Sequence, residues 1–179
     1  MKKALLIFIL FSQPIISELV LEITKGSDDP YSIAIINFDG PKNINDQIGS
    51  IVNNDLNRTG EFRILKDNQL LSSPANQDEI NYDDFKLLNV DFIVMGATSQ
   101  EDKTNISVSY EIYSVNKKSK IRTSTVYGIP NRLRQLSHYI SDGIYEEVTG
   151  IKGVASTRLL YVTEQIIDSK SLFKLVVAD

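Results

Sequence analysis

Few side chains in this sequence could act as catalysts or metal ligands. The chain of 179 residues has one histidine, His138, and no cysteine. Nucleophilic hydrolysis needs a nucleophile and an orienting acid around such a base, and zinc sites usually take three or four His or Cys ligands. At about 100° per residue, His138 is turned about 140° away from Leu133 on the same helix. We therefore expect a surface histidine and neither a hydrolase nor a zinc site.

Other reactive combinations have simpler explanations. Ser114 with Lys117, and Ser171 with Lys174, match the Ser-x-x-Lys spacing of penicillin-binding enzymes, but no Ser-Asp-Asn or Lys-Thr-Gly segment accompanies them. Adjacent acids do not face each other on a helix, so we interpret the four acidic pairs as solvated: 28–29, 78–79, 83–84 and 146–147. The sequence therefore predicts no catalytic residue, no cofactor and no metal ion.

The first 17 residues have the layout of a secretory signal peptide. Lys2 and Lys3 precede an apolar run of 8 residues, which Ser12, Gln13 and Pro14 interrupt before the small Ser17. A membrane anchor is the alternative, but a spanning helix needs about 20 predominantly apolar residues. We expect cleavage after residue 17, a mature chain in the bacterial periplasm, and no membrane span after cleavage.

Cleavage makes an acidic protein more acidic. The net charge falls from −4 to −6 because the signal peptide carries two lysines and no acid. Binding to nucleic acid depends largely on Lys and Arg that neutralise phosphates. The densest basic cluster is Lys117, Lys118 and Lys120, between two strand-like segments, where a solvated hairpin turn is expected. The sequence therefore predicts no nucleic-acid partner.

Two helices and five strands are predicted between residues 31 and 153. The first helix would begin at Asn43 or Asn45 as N-cap and stop at Gly60, and the second would run from Asn131 to Gly150. Their apolar stripes are Ile44, Ile48, Ile51, Val52 and Leu56, and Leu133, Leu136, Ile140, Ile144 and Val148. The strand-like segments are 32–38, 62–65, 91–99, 106–115 and 121–129, the last three as an antiparallel meander, with a short helix at 82–88.

These elements predict an α/β fold of the α+β type. We expect a mixed sheet of about five strands with two main helices packed on one face. Two further strand-like segments, 157–163 and 172–177, have no helix to pack on. Because two strands alone are marginally stable in water, we expect them to belong to a larger unit.

The predicted amino end of the mature chain is a short strand. Apolar and other residues alternate along it, and a polar joint containing Gly26 and Pro30 separates it from the first buried strand. Such a strand could lie at the edge of its own sheet, or it could add itself to the sheet of a partner through main-chain hydrogen bonds. The pattern alone leaves both possibilities open.

From about residue 18 to its end, the chain resembles the amino-terminal domain of the TolB family. The segments that carry the resemblance are 33–38, 48–62, 90–96 and 138–162. The last is the most specific, with Ser141-Asp142, Thr149-Gly150-Ile151-Lys152-Gly153 and Thr157-Arg158 in order. In two respects the chain departs from the family. Asn37 replaces a frequent proline, and Asp179 stands about where the family's first propeller blade begins.

The resemblance implies a periplasmic adaptor of the Tol-Pal system, an α/β domain followed by a β-propeller. Such proteins support outer-membrane integrity and cell division, and colicins and filamentous phage exploit the system. In the family, the extreme amino-terminal strand binds TolA and the propeller binds Pal. Pal binding is therefore expected only where the propeller is present. By position, the TolA-binding residues are Glu18, Leu19, Val20, Leu21, Glu22, Ile23, Thr24 and Lys25.

The expected division of the chain follows from these elements. Residues 1–17 are the signal peptide, 18–30 the strand and linker, 31–153 the α/β domain, and 154–179 the start of an incomplete propeller. An accessory domain of outer-membrane assembly or peptidoglycan synthesis is an alternative. Such domains are usually lipid-anchored, and the chain has no cysteine to carry a lipid. A hydrolase is a further alternative of a different class.

Overall fold

The computed structural model describes residues 29–36, 38–100, 104–167 and 170–178. Within these ranges a mixed sheet has the strand order β2-β1-β3-β4-β5. Its strands are β1 (Tyr31–Ile35), β2 (Phe62–Leu65), β3 (Phe92–Gln100), β4 (Ile106–Ser114) and β5 (Ser119–Gly128). Strand β1 pairs in parallel with both β2 and β3, while β3, β4 and β5 form the expected antiparallel meander. The predicted mixed five-stranded sheet is confirmed.

Both faces of β1 are buried from Ser32 onward, as the apolar run that begins at Ile33 predicts. One face packs under α1 (Lys42–Arg58) and α3 (Leu133–Thr149), and Ile33 and Ile35 belong to that core. The other face contributes Ala34 to a second, smaller core around Phe85 of α2 (Tyr82–Leu87). Two long helices therefore cover one face of the sheet, and a short helix with its loop covers part of the other.

Helix α3 lies very close to the sheet at Gly143. A Cβ at this position would stand 2.0 Å from the hydroxyl oxygen of Tyr110 on β4, so a side chain there would displace either the helix or the ring. The helix ends at Gly150, which adopts the left-handed conformation that glycine favours, with φ of 73°. The predicted stop at Gly150 is confirmed.

The predicted N-caps of the two long helices are wrong. Helix α1 is preceded by Pro41, and no side chain caps it. Asn45 lies inside the helix and is buried, where its side chain bonds Phe38, in the loop after β1, and Thr98 of β3 instead. Asn131 lies in a 3-10 turn, Pro130–Arg132, before α3, and no side chain caps that helix either. Such 3-10 turns are frequent at the amino end of an α-helix, and the regular helix therefore begins at Leu133, past Asn131.

The two carboxy-terminal strands form a separate antiparallel hairpin, β6 (Leu159–Ile167) and β7 (Lys170–Ala178). Its large apolar side chains are mostly exposed, Leu160 by 64% and Leu175 by 69%. No helix among the described residues is long and apolar enough to cross a membrane.

Candidate functional site

The predicted TolA-binding residues, Glu18 to Lys25, lie outside the described residues. The predicted signal peptide and Asn37 lie outside them as well. The partner-binding prediction therefore stays a prediction. Within the described domain, the polar groups with the most unusual surroundings lie between α1 and α3.

A buried carboxylate joins the two helices. Asp55 of α1 accepts hydrogen bonds at Oδ2 from Nδ1 of His138, at 2.6 Å, and from Oγ of Ser141, at 2.8 Å. Its other oxygen, Oδ1, accepts a bond of 3.2 Å from Arg58, one turn along α1. The side chains of Asp55 and His138 are only 3% and 4% exposed. Three donors thus compensate Asp55 for the loss of water.

The expectation of a surface histidine is wrong. His138 is buried because α3 packs against two neighbours, the sheet and α1, so its buried arc is wider than its apolar stripe. At about 100° per residue, the buried positions from Leu136 to His138 span roughly 200° of the helix. Ser137, His138 and Ser141 lie in the part of this arc that apolar residues do not fill. The sequence contains one local indication of this arrangement: His138 and Ser141 are three residues apart and therefore lie on the same side of α3.

The three residues are those of a serine hydrolase triad, but they are connected differently. In a triad the serine hydrogen-bonds the histidine, and the histidine bonds the acid. Here Ser141 donates to Asp55, and Ser137 O is a second acceptor for the same hydroxyl. The Nε2 atom of His138 is buried and has no partner among the described residues. The geometry is that of a carboxylate holding two helices together, not of an activated nucleophile.

A cleft of about 480 Å³ opens beside this network. Leu56, Tyr145, Ile151 and Val154 form most of its apolar lining, and Asp55 and Ser141 reach it from the buried side. Its outer wall is the segment that follows α3.

Asp142 fixes this wall to the helix. Its Oδ1 and Oδ2 accept hydrogen bonds from the backbone N–H groups of Ala155, at 2.6 Å, and Ser156, at 3.0 Å. Gly153 lies so close that an added Cβ would stand 2.5 Å from the Cα of Asp142. The carboxylate therefore positions the chain just before it enters the β6–β7 hairpin.

A second polar cluster lies on β4 and β5. Glu111 accepts hydrogen bonds from the hydroxyl of Tyr113 and, at 2.8 Å, from Lys120. Burial acts to raise the pKa of Glu111, but its hydrogen bonds with Lys120 and Tyr113 outweigh burial and lower the pKa below 4.5. Burial, reinforced by the neighbouring carboxylate, raises the pKa of Tyr113. The cluster is therefore an ion pair between Glu111 of β4 and Lys120 of β5, with Tyr113 as an additional donor.

No group of three or more potential metal ligands occurs among the described residues. The fold and the buried network define a small α/β domain whose polar core groups hold two helices on one face of a mixed sheet. The sequence-family model of the TolB amino-terminal domain matches residues 19–121. The chain belongs to the TolB amino-terminal domain family.

Full-length relatives agree with this assignment. The "Tol-Pal system protein TolB" of Alcanivorax borkumensis is 37% identical over 147 residues, which are 82% of this chain and 34% of the relative. The protein of the same name from Hydrogenovibrio crunogenus is 33% identical over 178 residues, 95% of this chain and 40% of the relative. The chain thus spans between a third and two fifths of the length of these relatives.

A solved structure agrees with the fold. The crystal structure of TolB from Acinetobacter baumannii superimposes with a TM-score of 0.73 at 30% identity. The match covers 88% of this chain and 38% of that one. The sequence resemblance to the TolB family is therefore confirmed.

Proposed function

We propose that this chain is a periplasmic protein-protein adaptor of the Tol-Pal system, which supports outer-membrane integrity and cell division. The observation that carries the proposal is the match of residues 19–121 to the TolB amino-terminal domain. Full-length relatives with the name Tol-Pal system protein TolB support it. In this proposal residues 1–17 direct export to the periplasm and are then cleaved off.

The proposed contact with TolA is the strand at residues 18–25. Its alternation of apolar and other side chains suits an added strand, in which main-chain hydrogen bonds supply affinity and alternate side chains supply specificity. Among the described residues, the two cores consist of residues between 33 and 148. The domain can therefore hold its fold while the strand engages a partner.

The experiment compares the mature chain with a chain that lacks residues 18–25. Deletion should abolish TolA binding in a pull-down with purified TolA and leave the thermal unfolding midpoint nearly unchanged. Retained binding would end the proposed role of this segment. A large drop in the midpoint would instead place the segment in the folded core.

A second comparison tests strand pairing itself. Replacing both Leu21 and Glu22 with proline removes one N–H from each edge of the strand, because successive N–H groups point to opposite edges. Replacing both with alanine removes the same side chains and keeps the donors. We expect the proline variant to bind TolA at least tenfold more weakly than the alanine variant. Equal binding by the two variants would mean that main-chain pairing is not used.

The hairpin β6–β7 is proposed to begin a β-propeller. Its exposed apolar side chains and the greater length of the relatives support this division of the chain near residue 154. Contact with Pal is proposed only for a protein that carries the propeller.

A further inference from the structure

The outer edge of β5 and its surroundings have the features of a peptide-binding site. Among the described strands, β5 pairs only with β4, from Ser119 to Gly128, so its other edge is unpaired. This edge is ten residues long and contains no proline. Natural sheets usually shorten, cover or charge such an edge, because it presents free N–H and C=O groups to other chains. On β5 the charges Lys120 and Arg122 lie in the first half of the strand, and the half from Thr123 to Gly128 carries none.

Two hollows flank the carboxy-terminal end of this edge. One, of about 330 Å³, lies between the end of β5 and the first turns of α3, and Ile129, Gln135 and Tyr139 line it. The other, of about 210 Å³, is lined by Ser99 and Ser107 of the neighbouring strands. Tyr127 borders both hollows. Side chains of an added strand alternate between the two faces of a sheet. The larger hollow lies where such side chains would pass beside Tyr127, whereas the smaller one lies over β3 and β4.

The side chains at this end are those that dominate protein interfaces. Tyr127 is 79% exposed and Tyr139 is 45% exposed. Arg132 lines the larger hollow beside them. Tyrosine and arginine are enriched among the residues that contribute most to binding energy. The tyrosines are exposed although burial of either ring would be favourable.

The charge around this edge selects an acidic occupant. Between Glu111 and Asp142 the chain contains no acid, although the whole protein has a net charge of −4. The cations in this stretch are Lys117, Lys118, Lys120, Arg122, Arg132 and Arg134. Lys118, Lys120 and Arg122 already pair with acids elsewhere in the domain. Arg132 makes no ion pair with a described residue, so it is available to a carboxylate of a ligand.

We propose that the β5 edge binds an extended acidic peptide segment of a partner protein by strand addition. Backbone groups of β5 hold the main chain, the larger hollow beside Tyr127 takes an apolar side chain, and Arg132 pairs with an acid of the segment. This surface is separate from residues 18–25 in the sequence and has the opposite role. Residues 18–25 would donate a strand, and β5 would receive one.

The test uses the mature chain and a synthetic eight-residue peptide of alternating valine and glutamate. Its affinity is measured by isothermal titration, and exchange of the β5 amides is followed by NMR. We expect Tyr127→Ala and Arg132→Glu each to weaken binding at least tenfold. Tyr161→Ala and Arg158→Glu, exposed residues outside this surface, are the matched controls and should bind as the parent does.

Two modified peptides separate strand addition from simple charge attraction. N-methylation of alternate residues, made in both registers, removes the amide donors while it keeps every carboxylate. We expect one of the two to bind at least tenfold more weakly. A peptide with lysine in place of glutamate should lose binding as well. The peptide that binds should slow amide exchange in β5.

Four results would overturn the proposal. The first is that the valine-glutamate peptide does not bind at 1 mM, and the second is that all N-methylated forms bind equally well. The third is that the Tyr127 and Arg132 variants bind with unchanged affinity. The fourth is that the β5 amides are already protected in the free chain and become exposed when residues 18–25 are deleted. The last result would identify the chain's own amino-terminal segment as the occupant.

Discussion

At the scale of single residues, Asp55 links helices α1 and α3. Its carboxylate receives donors from His138, Ser141 and Arg58, and two of these three come from the other helix. A buried charge is tolerated when its hydrogen-bonding capacity is filled, and removing one member of such a group leaves the others without water or a partner. The network therefore accounts for the presence of polar residues in an otherwise apolar helix contact.

Replacing Asp55 with alanine should be strongly destabilising, because it leaves His138 and Ser141 buried without their shared acceptor. We expect the free energy of unfolding to fall by about 3 kcal/mol in urea denaturation. Asp46→Ala, on the exposed face of the same helix, should change it by less than about 0.5 kcal/mol. A loss below about 1 kcal/mol for Asp55→Ala would contradict the linking role.

Glu111 makes the free energy of unfolding depend on pH. Its pKa is lower in the folded state than 4.5, so folding favours its ionised form. The stabilisation is fully present above pH 4.5 and is lost as the pH falls through the lowered pKa. Chemical denaturation of the parent and of Glu111→Gln should therefore differ at neutral pH, and the difference should shrink in acid. A difference that is independent of pH would show that charge is not involved.

At the scale of elements, the sequence predicted what depends on local periodicity. The strands from residue 91 to 129 and the apolar stripes of both helices, apart from the partly exposed Ile51, are correct because alternation and helical spacing decide which face is buried. The buried His138 was missed because its partner, Asp55, lies 83 residues away. The N-cap predicted at Asn45 is wrong for a similar reason, since Asn45 bonds Thr98 on β3, 53 residues away. Pairing over such distances cannot be derived from local periodicity, although the spacing of His138 and Ser141 places both on one side of α3.

Asn45 and Asn43 together test how α1 is attached. Asn45 donates to the carbonyl oxygen of Phe38 and accepts from the hydroxyl of Thr98, both at 2.7 Å. Asn45→Ala should therefore lower the free energy of unfolding by about 2 kcal/mol, because it leaves buried polar groups unpaired. Asn43→Ala should have almost no effect. A loss of about 1 kcal/mol for Asn43→Ala, as removal of an N-cap would give, would contradict the observed helix start.

At the scale of the whole molecule, the apolar clusters of the described residues and the carboxy-terminal hairpin are separate parts of the chain. The apolar clusters contain residues between 33 and 148. The β6–β7 hairpin lies beyond them with its apolar side chains exposed, and residues 18–25 precede them. In the proposed function, partners would engage residues 18–25 or the unit that contains the hairpin, while the described core stays folded.

The most direct test of the account is a competition measurement with purified TolA. A synthetic peptide of residues 18–25 is titrated into the complex of TolA with the mature chain, and a shuffled peptide of the same composition serves as control. We predict that the peptide releases the chain from TolA and that the shuffled peptide does not. A complex that resists the peptide, and that forms equally well with a chain lacking residues 18–25, would contradict the account.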